Sequence, residues 1–262
     1  MPINISSNLE RKTEQFPVFV GLFGYFQLLK LGELVLQRGH KTEQLLSILA
    51  LRLKQPTTRA MLLQTIWPEY DVELAGQSLN SLIYNLRKSL RSALMEQPPV
   101  LCEDGVYWLN VDAGIYVDVV LFDAHYAAAK RLHRHGDIVG AETELKQAIS
   151  LYHGDLSETG LVETVIERQR LRDKYLDALR YLAEYALQRS DWDAGLDFGH
   201  AMLKVDVCLE EAHRVVMRSY AALGRRTQAI RQFELCCDVL KQELNIDPER
   251  ETITLDQQIR EG

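Results

Sequence analysis

The chain is short of the residues that metal centres, secreted scaffolds and membrane proteins depend on. Its 262 residues include four cysteines, Cys102, Cys208, Cys236 and Cys237, with neither zinc-ligand spacing nor the density of a disulfide-stapled secreted domain. Cys236-Cys237 reads as two small side chains packed on a helix. His133-Arg134-His135 stands before a turn glycine with no acidic or cysteine partner at helical spacing, so it reads as surface. No run approaches the ~18 apolar residues of a membrane span, because the longest candidate, Leu45 to Leu53, is interrupted by Ser47 and Arg52. Met1 to Gln15 is polar and lacks the apolar stretch of a signal peptide, and reads as a flexible leader on a cytoplasmic protein with no membrane partner. Gly21-x-x-Gly24 lacks the Rossmann spacing, and there is no Walker lysine, no HExxH and no GxSxG. The expectation is a non-enzyme that requires no metal and no cofactor.

A broad basic field is missing too. The net charge is -7, yet the first 113 residues balance 11 Lys and Arg against 11 Asp and Glu. The whole excess lies in the remainder, with 19 basic and 26 acidic residues. Any anion recognition in the first part must rest on local clustering.

Such a cluster exists. From Leu74 to Leu94 the sequence is an amphipathic helix, with Leu79, Leu82, Ile83, Leu86, Leu90 and Leu94 on one arc of roughly 120°. Asn80, Ser81, Tyr84, Asn85, Lys88 and Arg91 take the opposite side, with Arg87 at its border. These amides, hydroxyls and cations are the groups that read base edges and phosphates in a major groove. Arg87 fits a structural ion pair as well as a phosphate contact. Val100 to Val111 then forms a hairpin pattern with Asp104-Gly105 as its turn. Tyr107 and Leu109 alternate inward, while Trp108 points outward. A helix followed by a two-stranded wing is the reading end of a winged helix-turn-helix, and points toward DNA.

Before this helix, residues 16–36 alternate in short apolar runs broken by Gly21, Gly24 and Gly32, the pattern of a small antiparallel sheet. Lys41 to Lys54 reads as a helix apolar nearly all round. Pro56-Thr57-Thr58 is a stop and an N-cap for a short helix, Arg59 to Trp67, which ends at Pro68. After Val119 the strand signal vanishes and helix–turn–helix units follow: 122–134 with 138–152, 163–189 with 192–205, and 209–223 with 227–244. The turns at Ser190-Asp191 and Gly224-Arg225 lie 34 residues apart, the tetratricopeptide period. An insertion from Gly154 to about Val162 lengthens the first gap. Stacked hairpins of this kind make a curved solenoid with a concave binding surface. Tyr152, Tyr175, Tyr181, Tyr185 and Trp192 fall at packing positions, and Arg168, Arg170, Arg172 and Lys174 read as a solvated helix face.

Four motifs in this order resemble the Streptomyces antibiotic regulatory protein family, an OmpR-type winged helix joined to a bacterial transcriptional activator domain. They are Leu62-Leu63-Gln64-Thr65-Ile66-Trp67-Pro68, then Ser78 to Leu90, then Gly105-Val106-Tyr107-Trp108-Leu109, and finally Glu243-Leu244-Asn245-Ile246-Asp247-Pro248. The resemblance covers about residues 18–257. It implies a mainly α fold with a small β component: a leader at 1–15, a winged helix (sheet, three helices, hairpin wing) at 16–113, and an all-α tetratricopeptide-like solenoid of three helical hairpins at 118–257. It also implies a sequence-specific, nucleoid-associated activator that binds direct repeats in double-stranded promoter DNA and contacts RNA polymerase holoenzyme, with self-association on tandem sites.

Carried onto this chain, Asn80, Ser81, Tyr84, Asn85, Lys88 and Arg91 face the major groove. His40, Lys41, Thr58 and Arg59 lie near phosphates at helix N-termini, joined by Arg87. The wing contributes Asp104, Gly105 and Trp108. Departures from the family pattern fall on the same surfaces. Asn85 replaces an arginine, and an asparagine can pair with adenine N6 and N7. Glu103-Asp104 brings two carboxylates where a wing usually carries cations, and Trp108 stands where a basic residue is common. Loss of about two phosphate contacts lowers the salt dependence of binding by about two units of slope. The competing reading is a protein-interaction adaptor with a degenerate winged helix, whose solenoid holds a peptide or partner.

Overall fold

The computed structural model describes residues 16–35, 40–53, 55–156 and 161–262; the expected leader at 1–15 lies outside them. The fold is mainly α with a small β component, and no helix among the described residues is long and apolar enough to cross a membrane. Packing gathers the chain into two compact units. Of the described residues, the first joins those up to 128 to those within 146–171, and the second joins 129–145 to 172–262. Packing thus groups residues differently from a partition at 113–118.

In the first unit, β1 (Val18–Gly21) is buried at every position, as a strand covered on both faces must be. It pairs antiparallel with β2 (Gln27–Lys30), which pairs with β3 (Glu33–Leu34) across the left-handed Leu31-Gly32 turn. These strands match the expected small sheet. The stretch where the two expected domains meet brings a further strand: Val111–Ala113 forms a 3₁₀ turn, and Ile115–Val117 pairs parallel with β1, setting Val18 against Ile115. Three residues of alternating Ile-Tyr-Val are too short a pattern to announce a strand whose partner is almost a hundred residues away.

Next comes α1 (His40–Leu51), with Leu45, Leu46, Ile48 and Leu49 all buried, as an all-round apolar helix should be. The strand β4 (Thr57–Thr58) leads into α2 (Arg59–Ile66), where Thr58 Oγ1 accepts from Met61 N at 3.3 Å as the N-cap. Asp71 caps α3 (Val72–Leu90) by accepting from Glu73 N at 2.8 Å. Leu79, Leu86, Leu90 and Leu94 are buried as the arc demands. The helix ends four residues before the sequence reading; residues 91–96 form turns, with Met95 and Glu96 left-handed. The wing is β5 (Val100–Glu103) and β6 (Val106–Leu109), and positive φ at both Asp104 (49°) and Gly105 (76°) gives the turn type that an Asp-Gly hairpin favours. β4 pairs with β6, so the wing joins a three-stranded sheet in the order β4-β6-β5. The strand Ile115–Val117 is β7.

β7 passes directly into α4 (Asp118–Arg134). At the junction the buried Asp118 accepts from Leu22 N (2.7 Å), Phe23 N (2.9 Å) and Val119 N (2.7 Å), tying the end of β1 to the start of the helix. Burial pushes its carboxyl pKa up to about 7, against the lowering effect of those backbone donors. After α5 (Ile138–Ile149), the segment at 152–156 returns to the sheet end: Phe23 bridges Leu156, and Gly24 N donates to Asp155 O at 2.9 Å. A Cβ on Gly24 would meet His153 O at 2.9 Å, so this close backbone approach requires glycine. Asp155 and Leu156, in the stretch that sequence spacing marks as an insertion, therefore anchor the N-terminal sheet.

The second unit packs the later part of α6 (Val162–Gln188) with α7 (Trp192–Val205), α8 (Glu210–Ala222) and α9 (Arg226–Glu243). A further helix, α10 (Arg250–Glu261), follows Pro248 and was absent from the three expected hairpins. Glu210 holds its start, accepting from Glu249 N at 2.8 Å and Thr252 Oγ1 at 2.6 Å. His213 is buried between Gln232 Nε2 and Val207 O (2.7 and 2.8 Å), and burial lowers its pKa, so it sits neutral. Cys236 is fully buried, its thiol pushed up to about 12, as inert packing requires. Tyr152 is buried, but Tyr175, Tyr181, Tyr185 and Trp192 are half-buried rather than core. Phenols keep a wet end: Tyr181 Oη bonds His133 Nδ1 at 2.8 Å, and the Tyr185 ring receives the Arg189 guanidinium at 4.4 Å.

Candidate nucleic-acid interface

The outer face of α3 carries the candidate residues. Asn80, Ser81, Tyr84, Asn85, Arg87 and Lys88 are exposed, and so is Arg91, the residue that follows the helix. Tyr84 exposes 66% of its surface, far more than a phenol spends when it has a packing role. Arg87 and Lys88 have no ion pair among the described residues. Arg91 differs, since its Nε pairs with Glu96 in the turn after the helix. That acid sits five residues on, and only the left-handed turn brings it back.

Arg59 organises this face from below. Its Nη1 donates to Asn80 Oδ1 (3.1 Å) and Tyr107 Oη (2.7 Å), and its Nη2 donates to Gly76 O (3.0 Å). One guanidinium thus joins the start of α2, the middle of α3 and the wing strand β6. A Cβ at position 76 would lie 2.8 Å from Arg59 Nη2, so Gly76 makes the room. Burial raises the pKa of the Tyr107 phenol, which Arg59 partly counters. With Oδ1 of Asn80 engaged by a cation, its amide presents Nδ2–H to the solvent side.

The residues expected near phosphates divide by environment. Lys41 Nζ donates to Ile66 O at the end of α2 and lies 5.9 Å from the Trp67 ring centroid, a cap that uses both helix dipole and ring. Thr58 is exposed but its hydroxyl caps α2, and Arg59 N donates to Gly105 O at 2.9 Å in the wing turn. His40 is exposed and its Nδ1 lies 2.8 Å from Glu43. At the wing, Asp104 and Gly105 form an exposed tip, while Trp108 is half-buried opposite Leu101, itself 41% exposed. Its outer surface is apolar and acidic.

The model of a family described as "Bacterial transcriptional activator domain" matches residues 117–260. The chain belongs to that family. A second model, "Transcriptional regulatory protein, C terminal", matches residues 34–102, and covers α1, α2, α3 and most of β5. Together they make the Streptomyces antibiotic regulatory arrangement that the four sequence motifs implied. A solved structure titled "Mycobacterium tuberculosis EmbR in complex with low affinity phosphopeptide" matches with a TM-score of 0.69 at 21% identity, a likeness of fold. The match covers 94% of this chain and 65% of that one. No curated protein matches.

In the activator-domain protein the structure therefore gathers Asn80, Ser81, Tyr84, Asn85, Arg87 and Lys88 on one open face. It gives Lys41, Thr58, Arg59 and Arg91 bonds to other parts of the chain. Sequence reasoning passed over Gly76, Glu96 and the hydroxyl of Tyr107. For Gly76 a signal was present: an isolated glycine inside a helical pattern marks a close approach.

Proposed function

We propose that this regulator binds promoter DNA sequence-specifically and activates transcription, with the outer face of α3 in the major groove. The observation that carries the reading is the open polar face itself, seated through Arg59 on the wing. In this reading Asn80, Ser81, Tyr84 and Asn85 read base edges, while Arg87 and Lys88 reach phosphate or guanine. His40 adds an exposed site near phosphate; Lys41, Thr58 and Arg59 serve mainly to position the helices. The acidic wing tip limits the footprint, and self-association on tandem repeats compensates by adding contacts. RNA polymerase is the partner that activation requires.

Binding to tandem-repeat promoter fragments, measured across a salt series, tests this directly. Lys88→Ala and Arg87→Ala should each weaken binding and lower the salt slope by about one unit. Equal affinity for scrambled DNA at every salt concentration would end the specificity claim. The Glu103-Asp104 wing favours a second reading, an adaptor that has left DNA. Retention of cell proteins by residues 118–262 alone, with no retention of DNA by the full chain, would establish that reading instead.

A further inference from the structure

The second compact unit contains a cavity of about 830 Å³ bounded by α6, α7, α8, α9 and α10. Leu187, Trp192, Leu255 and Ile259 are its large apolar lining residues, and Ala221, Gly224 and Gly262 add small ones. Its rim is wet, because Gln188, Arg218, Arg226 and Gln258 are all exposed. The size lies within the roughly 300–1,000 Å³ typical of ligand sites.

The charge of this lining is unexpected. The chain beyond residue 113 carries 26 acidic against 19 basic residues, yet no Asp or Glu side chain is among the described residues of the lining, and the one carboxylate there is the backbone carboxylate of Gly262. Five arginines of the unit are engaged by internal partners: Arg172 by Val205 O, Arg180 by Glu211, Arg189 by Glu142, Arg214 by Glu249 and Arg260 by Asp256. Arg218 and Arg226 have no such partner among the described residues, and of the unpartnered arginines it is these two that line the cavity. An apolar hollow flanked by two uncommitted guanidiniums is complementary to an anion carried beside a hydrophobic group. The two rim amides can each bond a peptide backbone, and one planar guanidinium can take a carboxylate through two N–H donors.

We infer that this cavity is a docking site for an acidic peptide segment of a partner protein, one bulky apolar side chain entering between Trp192 and Leu255 while flanking carboxylates pair with Arg218 and Arg226. The site is separate from the α3 face and does not depend on DNA binding. It assigns the helical half a ligand of defined chemistry, an Asp- or Glu-rich segment with a single aromatic or aliphatic anchor.

The test uses the full chain and a dye-labelled library of short peptides, each with one Phe or Leu among Asp and Glu, read by fluorescence anisotropy. A matched library carries Asn and Gln in place of the acids. Acidic members should bind and neutral ones should not, with affinity falling as salt rises. Arg218→Gln combined with Arg226→Gln should weaken binding by about tenfold or more, while Arg231→Gln, an exposed arginine outside the lining, should leave it unchanged. All three positions are exposed, so the variants should melt with the wild type. Equal binding of acidic and neutral peptides, unaltered affinity in the double variant, or no bound peptide in either library would overturn the assignment. DNA binding run in parallel keeps this result distinct from the fate of the α3 reading.

Discussion

Arg59 spends three donors inside the protein, and that expenditure decides how Asn80 can read DNA. Because Oδ1 accepts from Arg59 Nη1 at 3.1 Å, Asn80 offers its amide hydrogens to the groove, which suits guanine O6 or thymine O4 better than the donor edge of adenine or cytosine. Asn80→Asp keeps the shape, keeps the bond to Arg59, and replaces the donor with an acceptor. Selection of bound sequences from random DNA should therefore show one operator position change from a keto to an amino base. An unchanged base preference at every position would remove Asn80 from the reading set. A second residue-scale prediction concerns Asp118, buried with a pKa raised to about 7 from 3.8. The folded state then holds a proton that the unfolded chain releases. The associated stability is fully present below about pH 4 and is lost as pH rises through 7, on the order of 4 kcal/mol if the shift is complete. Denaturant unfolding at a series of pH values should show this decline, and Asp118→Asn should flatten it. The same variant should cost about 1–3 kcal/mol near pH 5, since its NH₂ group faces a backbone donor that a carboxyl oxygen satisfied. An identical pH dependence in the variant would exclude Asp118 as the titrating group.

Between helices, the decisive feature is how closely α7 and α8 approach. A Cβ on Gly199 would lie 2.6 Å from Val216 Cγ2, a β-branched side chain with little rotamer freedom, and 3.3 Å from Val215 Cγ1. A Cβ on Gly195 would meet Ser219 Oγ at 2.6 Å, and that small side chain can change rotamer for the loss of its 2.9 Å bond to Val215 O. Alanine gains up to about 1 kcal/mol of helix propensity at either position, against about 1–3 kcal/mol for overpacking. Gly199→Ala should therefore destabilise the second unit, and Gly195→Ala should be nearly neutral, as chemical unfolding of both variants will show. Equal costs would mean that the helices shift apart as rigid bodies. These glycines also show where legibility ends. The α3 arc, the Thr58 cap and the Asp-Gly turn are local in sequence, so their residues announce them. The Arg168–Lys174 run looks solvated because its partners are remote: Arg168 bonds Leu156 O, Arg170 grips Asp123, and Arg172 bonds Val205 O. Helix α10 escaped notice because two of its three buried residues, Thr252 and Asp256, are polar and leave only a thin apolar stripe. The open face of α3 was readable from periodicity, but the internal duties of Arg59, Lys41 and Arg91 were not, since the first two depend on tertiary neighbours and the third on a left-handed turn.

For the molecule as a whole, the sheet behind the winged helix is completed by residues well beyond the wing. β1 is paired on both sides only because β7 follows the hairpin, and its end is held only because Asp118 accepts from Leu22 and Phe23. Phe122, fully buried, stacks edge-on to Phe23 at 5.5 Å, and Tyr152 closes the same cluster at 4.8 Å from that ring. Ile115, Val117 and Phe122 each contribute about 1.5–3 kcal/mol by burial, and their sum is comparable to the 5–15 kcal/mol by which a whole domain is stable. A fragment ending at residue 113 loses all of them and leaves one edge of β1 unpaired, an invitation to aggregation. Such a fragment should melt without a cooperative transition and should bind operator DNA more weakly than the full chain. A fragment ending at residue 171 keeps every segment of the first compact unit and should unfold cooperatively. Calorimetry and near-ultraviolet circular dichroism on the two fragments distinguish these outcomes. If the shorter one melts within about two degrees of the longer, a shift worth well under 1 kcal/mol for a domain of this size, the sheet and wing are self-sufficient and the downstream segments are ornament to the DNA-facing helix rather than its foundation.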